Sequence, residues 1–200
     1  MLQSLLNNGQ AIQVNTAIST KEYEEQKTVM ELYNEALDDV STIVEAKSKP
    51  ICHIPCSFGK DSLLVLLITI MAYAKLINLG RIEKNRPLIV TTVDTAVEAV
   101  PMQMMVRYCA PRVEAFAKSL GVNLQFSLLK PRFTDEFFIR WGSAQKIVPN
   151  PTKSGDCSVI LKLDVSERHL RGLSAELADQ GYSSSPICSL LGSRDVVTSI

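Results

Sequence analysis

The chain has 200 residues, 46% hydrophobic and 21% charged, proportions that exclude wholesale disorder and suit one domain, or one domain with a helical extension. Its 21 Lys and Arg equal its 21 Asp and Glu, so no net charge draws it to nucleic acid or a membrane. The charge is uneven, however: residues 1–100 carry 9 basic and 12 acidic groups, residues 101–200 carry 12 and 9, and Gln103 to Arg171 hold 11 basic against 6 acidic. That local excess suits a small phosphate-rich ligand better than a nucleic-acid surface.

Five scattered cysteines with no CxxC pair point to free thiols in a reducing compartment. The first basic residue is Lys21, so the charged start of a secretory signal is missing. The most apolar run, Leu63 to Ala74, falls short of the roughly 20 residues that a membrane span needs. The expectation is a cytoplasmic protein without a membrane partner.

Residues 1–20 are polar and Gln/Asn-rich without a period. From Tyr23 to about Lys47, apolar residues recur at helical spacing against a Glu- and Asp-rich face, and Lys49-Pro50 ends that helix. We divide the chain into a helical extension, residues 1–49, and a nucleotide-binding domain, residues 50–200. Buried strands are predicted at Ile51–Pro55, Leu88–Val93, Leu124–Leu128 and Ile187–Leu191. Helices are predicted at Asp61–Leu79, Met102–Leu120 and Val159–Leu173. This alternation predicts an α/β fold, a doubly wound, mostly parallel sheet with helices on both faces. Lys130–Asp156, punctuated by Pro and Gly, reads as a long loop holding one short helix. The chain stops at Ile200, straight after a strand and turn, which predicts a domain cut short at its C-terminal end.

The sharpest feature is Ile51-Cys-His-Ile-Pro-Cys-Ser-Phe-Gly-Lys-Asp-Ser62, a strand, a tight turn of small residues and a helix start. Such a turn aims backbone N–H groups and the positive end of the helix dipole at one point. Ser57 and Ser62 add hydroxyls, Lys60 adds a charge, and Asp61 caps the helix or orients a metal-bound phosphate. A Walker loop is excluded, because Ile54 stands where its first Gly is required and Asp61 where Ser or Thr must follow the Lys. The structural alternative is a plain helix cap at Asp61 and a plain turn at Gly59.

Ser57-Phe-Gly-Lys-Asp-Ser62 resembles the SGGxDS loop of the PP-loop ATP pyrophosphatases, of adenine nucleotide α-hydrolase fold. Within that group the chain is most similar to the PAPS-reductase-like branch. Val93-Asp-Thr-Ala-Val-Glu-Ala-Val-Pro101 resembles its DTG-x-x-x-PET region, and more closely the DT-x-VE-x-P form of the DNA phosphorothioation sulfurtransferases (DndC- and SspD-like). Trp141-Gly142, the Pro-rich loop and Gly155-Asp-Cys-Ser-Val-Ile-Leu-Lys162 resemble the GxGxPxP…RxCTxxLK stretch, and Gly192-Ser-Arg194 its GxR motif. The resemblance covers about residues 50–195. Phe58 departs from it, replacing the second Gly of the loop; at positive φ it would be a costly occupant, otherwise it packs beneath the loop.

The resemblance implies ATP as substrate and Mg²⁺ as cofactor, with Asp61 toward the metal. It assigns Lys60, Asp61, Lys162 and Cys157 to catalysis, and Ser57, Phe58, Gly59, Lys60, Asp61, Ser62, Asp94, Thr95, Glu98 and Arg194 to nucleotide binding. Cys157 is the candidate sulfur carrier or cluster ligand, against the reading of a buried small residue. The branch's iron–sulfur cysteines would fall largely beyond residue 200, and within this chain only Cys157 sits in a matching motif. The implied activity is an ATP pyrophosphatase that adenylates a DNA backbone phosphate for sulfur incorporation in a phosphorothioation-based bacterial defence system. DNA, further subunits and a cysteine-desulfurase-type sulfur donor are the implied partners. The alternatives are an adenylyl-sulfate reductase-type enzyme and a catalytically degenerate nucleotide-binding assembly subunit.

Of the remaining candidates, Cys52 and Cys56 share one strand face and suit core packing. His53 and His169 lack zinc-spaced partners. Met102, Met104 and Met105 suit a helix core or an interface. Lys162, Arg168 and Arg171 stand at helical spacing and make either a basic strip or a solvated face.

Overall fold

The computed structural model describes residues 28–143, 159–182 and 185–192. Helix α1 (Val29–Val44) starts at Thr28, whose hydroxyl accepts from the Glu31 N–H at 3.3 Å while the Glu31 carboxylate accepts from the Thr28 N–H at 2.6 Å. This reciprocal box satisfies donors that a helix start otherwise leaves orphaned. The Thr28 N–H is also the main reason that the Glu31 carboxyl lies below its ordinary value.

Four parallel strands follow, β1 (Ile51–Pro55), β2 (Pro87–Val93), β3 (Asn123–Leu129) and β4 (Ile187–Ser189), in the spatial order β3-β2-β1-β4. Helix α2 (Lys60–Asn78) joins β1 to β2, and α3 (Val100–Ser119) joins β2 to β3. Between β3 and β4 come α4 (Phe137–Gly142), a π-helical turn (Val159–Leu163) and α5 (Asp164–Leu177). The ladder runs slightly past β4, where the Leu190 N–H donates to the His53 carbonyl at 2.9 Å.

Side chains alternate across each strand. Cys52 and Ile54 of β1 and Leu88 and Val90 of β2 face the main core, with Val44 of α1, Leu66, Ile70 and Tyr73 of α2, and Val113 and Ala117 of α3. Ile51 and Ile89 face the other way, onto Leu173 and Leu177 of α5. Two crossovers in one direction put α2 and α3 on one face, and the return past β1 to β4 puts α5 on the other. The molecule is therefore an α/β protein with a parallel sheet and helices on both faces, compatible with a Rossmann-like arrangement. In such sheets ligands bind outside the carboxyl ends of the strands, where the winding direction reverses.

Helix α2 is long and apolar enough, by length and composition, to cross a membrane, more so than the run Leu63–Ala74 suggested. Its Leu66, Ile70, Tyr73 and Leu76 are nonetheless buried against the sheet and α1, the position of a core helix. Burial pushes the Tyr73 hydroxyl well above its ordinary value. Helix α1 is tied in by the buried Arg86, whose guanidinium donates to Val44 O at 3.0 Å and to Pro50 O. The first of these carbonyls is at the negative end of α1, where a cation is favoured. Cys52, Cys56, Cys109 and Cys188 are free thiols, and burial raises those of Cys52 and Cys56.

Candidate functional site

The β1–α2 loop is held by its own small side chains. The Ser57 and Ser62 hydroxyls meet at 3.2 Å, Ser62 Oγ donates to Gly59 O at 3.1 Å, and the Phe58 N–H donates to Cys56 Sγ at 3.4 Å. Gly59, the N-cap of α2, brings no capping side chain, and its own N–H donates to Ser57 Oγ at 3.4 Å. Lys60, Asp61 and Ser62 thus form a first turn whose N–H groups have no helical carbonyl to bond, in the field of the positive dipole end. Gly192, after β4, lies against this turn: a Cβ there would stand 2.8 Å from Asp61 O. Only glycine permits that approach.

Phe58 combines what the sequence offers as alternatives, positive φ and packing beneath the loop. Its φ is +57°, in the region glycine favours, and its ring is 2% exposed, packed edge-on to Phe126 with centroids 5.9 Å apart. The left-handed backbone costs about 1–2 kcal/mol. Burying the ring returns roughly 1.5–3 kcal/mol. The loop therefore keeps a glycine-like backbone without the glycine.

The β2–α3 connection, residues 94–99, shows a second such position, which sequence reading did not single out. Ala96 has φ +60°, where the DTG form of the motif has glycine, and its N–H donates to Asp94 Oδ1 at 3.0 Å. Thr95 is 2% exposed, and its hydroxyl is buried with no hydrogen-bond partner among the described residues. Gln103 Nε2 donates to Glu98 O at 3.2 Å, tying the connection to α3.

Between these loops, at the carboxyl edge of the sheet, a cavity of about 450 Å³ opens between α3 and the start of α5. Its wall includes Ser57, Asp94, Glu98 and Lys162 from the sequence-derived set. Phe58, Gly59, Lys60, Asp61, Ser62 and Thr95 are not on that wall, although the loop residues adjoin Ser57. Sequence reading missed Thr91, Thr92, Gln103, Val106, Arg107, Leu128 and Ser166 of the wall. Gln103 and Arg107 stand one turn apart on the first turns of the helix after β2, so the phase of α3 was the available signal. Cys157 and Arg194 lie outside the described residues, as do Lys146 and Lys153 of the long loop.

The Lys and Arg side chains of α5 and of the turn before it are paired. Lys162 Nζ is 2.7 Å from Glu98 Oε1, Arg168 is 3.7 Å from Asp135, and Arg171 is 2.5 Å from Glu167. A free basic strip is therefore not present at these three residues. In the described part of the long loop, Phe137 stacks on Trp141 at 4.9 Å beside Leu161, Phe138 is exposed, and Arg140 pairs with Asp135. Met104 and Met105 are exposed, and Met102 lines the cavity, so these methionines are not helix core.

His53 spans the middle of the sheet. Its ring nitrogens meet Ser189 Oγ at 2.8 Å on β4 and Thr91 Oγ1 at 2.9 Å on β2. Burial, then His169, lowers its pKa to about 4, so the ring is neutral near pH 7. It is a satisfied structural histidine whose partner Thr91 reaches the cavity wall.

Among the described residues no three His, Cys, Asp or Glu side chains come together as a metal site. Mg²⁺ does not need one, since it is commonly held by one or two carboxylates and the substrate's phosphates; Asp61 on the loop and Asp94 on the rim fit that use. An iron–sulfur cluster does not fit the described cysteines, because Cys52 and Cys56 are buried in the core, apart from any thiolate set.

No protein-family model matches the chain, and neither a curated protein nor a solved structure is significantly similar to it.

Proposed function

We propose that residues 50–200 form a PP-loop nucleotide-binding domain of adenine nucleotide α-hydrolase-like fold, and that the chain is an ATP pyrophosphatase or adenylating subunit. The carrying observation is the first turn of α2, which starts at a glycine N-cap with no capping side chain of its own, behind a serine-bearing, left-handed loop and beside a cavity at the carboxyl edge of a parallel sheet. On this reading the phosphates lie on the N–H groups of Lys60, Asp61 and Ser62, and the nucleoside occupies the cavity against Met102, Val106 and Leu128. An acceptor oxygen bonds to the α-phosphorus, the α–β bridge breaks, and pyrophosphate departs with its charge stabilised by preorganised donors of the loop. Lys60 and Lys162 add cations. Mg²⁺, when bound, supplies further charge neutralisation to the phosphates. The acceptor is read as a DNA backbone phosphate, activated for replacement of oxygen by sulfur in a cytoplasmic phosphorothioation system, with Cys157 and a cysteine-desulfurase-type donor on the sulfur side.

Chromatography of the products formed from ATP with DNA and partner subunits tests this. AMP with pyrophosphate is the expected outcome, and ADP with phosphate contradicts it. Sulfite from adenylyl sulfate would mark a reductase. Phe58 and Ala96 at glycine-like backbone positions favour one second reading, a nucleotide-binding subunit without turnover, which binds ATP and releases neither product.

A further inference from the structure

Glu98 and Lys162 form the one ion pair among the described residues whose members both line the cavity. They come from opposite walls, Glu98 from the β2–α3 connection and Lys162 from the turn that leads into α5. The Glu98 end is built: the Asp94–Ala96 hydrogen bond shapes the loop before it, and Gln103 Nε2 holds its carbonyl from α3. The Lys162 end is a half-exposed ammonium on a flexible four-carbon stem. Two other charged groups share the wall, Asp94, which accepts from the Ala96 N–H, and Arg107, which has no ion-pair partner among the described residues.

We propose that this pair is a latch on the cavity: Glu98 holds the Lys162 ammonium across the mouth until a phosphate-bearing ligand takes the ammonium for itself. The proposal rests on the phosphate-binding reading above and adds a competitor built into the site. A half-exposed pair of this kind shifts an equilibrium by only a few-fold. A phosphate carries more acceptor oxygens than one carboxylate and displaces Glu98 readily. Arg107 meets the ligand whether the latch is open or shut, so Lys162 is the cation whose availability Glu98 sets.

Titration calorimetry with ATP and with inorganic pyrophosphate, at low salt in a chelator, reads the latch. Glu98→Gln is expected to tighten binding about threefold and Lys162→Gln to weaken it several-fold. In the Lys162→Gln background, Glu98→Gln is expected to change nothing. An equal gain with and without Lys162 would mean simple charge repulsion and would overturn the latch. Acylation of Lys162 in the ligand-free protein, followed by mass spectrometry, gives a second readout: two- to threefold faster in Glu98→Gln than in wild type, with equal rates overturning the proposal. Protection of Lys162 without binding of either probe overturns the nucleotide reading and the opening step while supporting the pair. Binding without protection overturns the latch and supports the nucleotide reading.

Discussion

The two loops at the carboxyl edge of the sheet reach the same backbone conformation by different means. In the β1–α2 loop, Phe58 at φ +57° drives its ring into the core beside Phe126. In the β2–α3 connection, Ala96 at φ +60° is exposed and is steadied by a hydrogen bond from its N–H to Asp94. The first loop offsets its strain with buried area, the second with a local polar contact of the kind aspartate makes in turns. Strained backbone persists only where the surroundings over-determine it, and such positions concentrate at ligand-binding edges. Here both flank one cavity.

The largest expected effect breaks the comparison at Phe58. Phe58→Ala keeps the left-handed backbone and loses the ring, and is expected to cost roughly 3–5 kcal/mol in denaturant unfolding. Phe58→Gly loses the same ring but relieves the backbone, so it is expected to be more stable than the alanine variant by about 1 kcal/mol. That order inverts the usual one. Alanine equal to or above glycine would remove the strain from the account.

The strands that carry both loops are tied across their middle by His53, and this gives a pH signature. Its pKa is about 4 when folded, against an ordinary value of 6.5, so the unfolded chain binds the extra proton between those values. Stability is then full above pH 6.5, falls as pH drops toward 4, and levels off below. The loss is on the order of 3 kcal/mol. Urea melts of wild type and His53→Gln between pH 4 and 7 check it, the variant lacking that slope.

Gly192→Ala tests the support behind the first loop alone. A methyl at 2.8 Å from Asp61 O forces the first turn of α2 to shift, an overpacking cost of roughly 1–3 kcal/mol. Phosphate-ligand affinity, measured by calorimetry, is expected to fall in the folded variant, whereas the β2–α3 connection is untouched.

The smallest effect is at Ala96. Glycine there relieves the backbone and removes no buried group, so Ala96→Gly is expected to stabilise by up to about 1 kcal/mol in thermal or urea melts. Destabilisation would mean that the Asp94 hydrogen bond already relaxes the turn fully. Opposite signs at Phe58→Gly and Ala96→Gly are the clearest form of the comparison.

Much of the frame was legible from pattern. Buried parallel strands read as short apolar runs, and β1 was expected with the bounds it has, while β2 and β3 each exceed expectation by a residue at one or both ends. Cys52 and Ile54 lie on the opposite sheet face from Ile51 and His53, as the strand period requires, and all four are buried. The Thr28–Glu31 box was readable and went unread. Phe58 was legible only as a choice between strain and packing, because burial against Phe126 depends on a strand far away in sequence. The Glu98–Lys162 pair was invisible for the same reason. Both residues were candidates for the site, but neither motif says that one neutralises the other.

The central claim is that the first turn of α2 and its serine loop receive phosphates. Amide chemical shifts of ¹⁵N-labelled protein, followed as pyrophosphate and then ATP are added, test it residue by residue. The account predicts that the largest changes from both ligands fall at Gly59, Lys60, Asp61 and Ser62, with ATP adding changes at Val106 and Leu128. Saturable binding that leaves residues 58–62 unmoved, or shifts centred elsewhere on the chain, would contradict it.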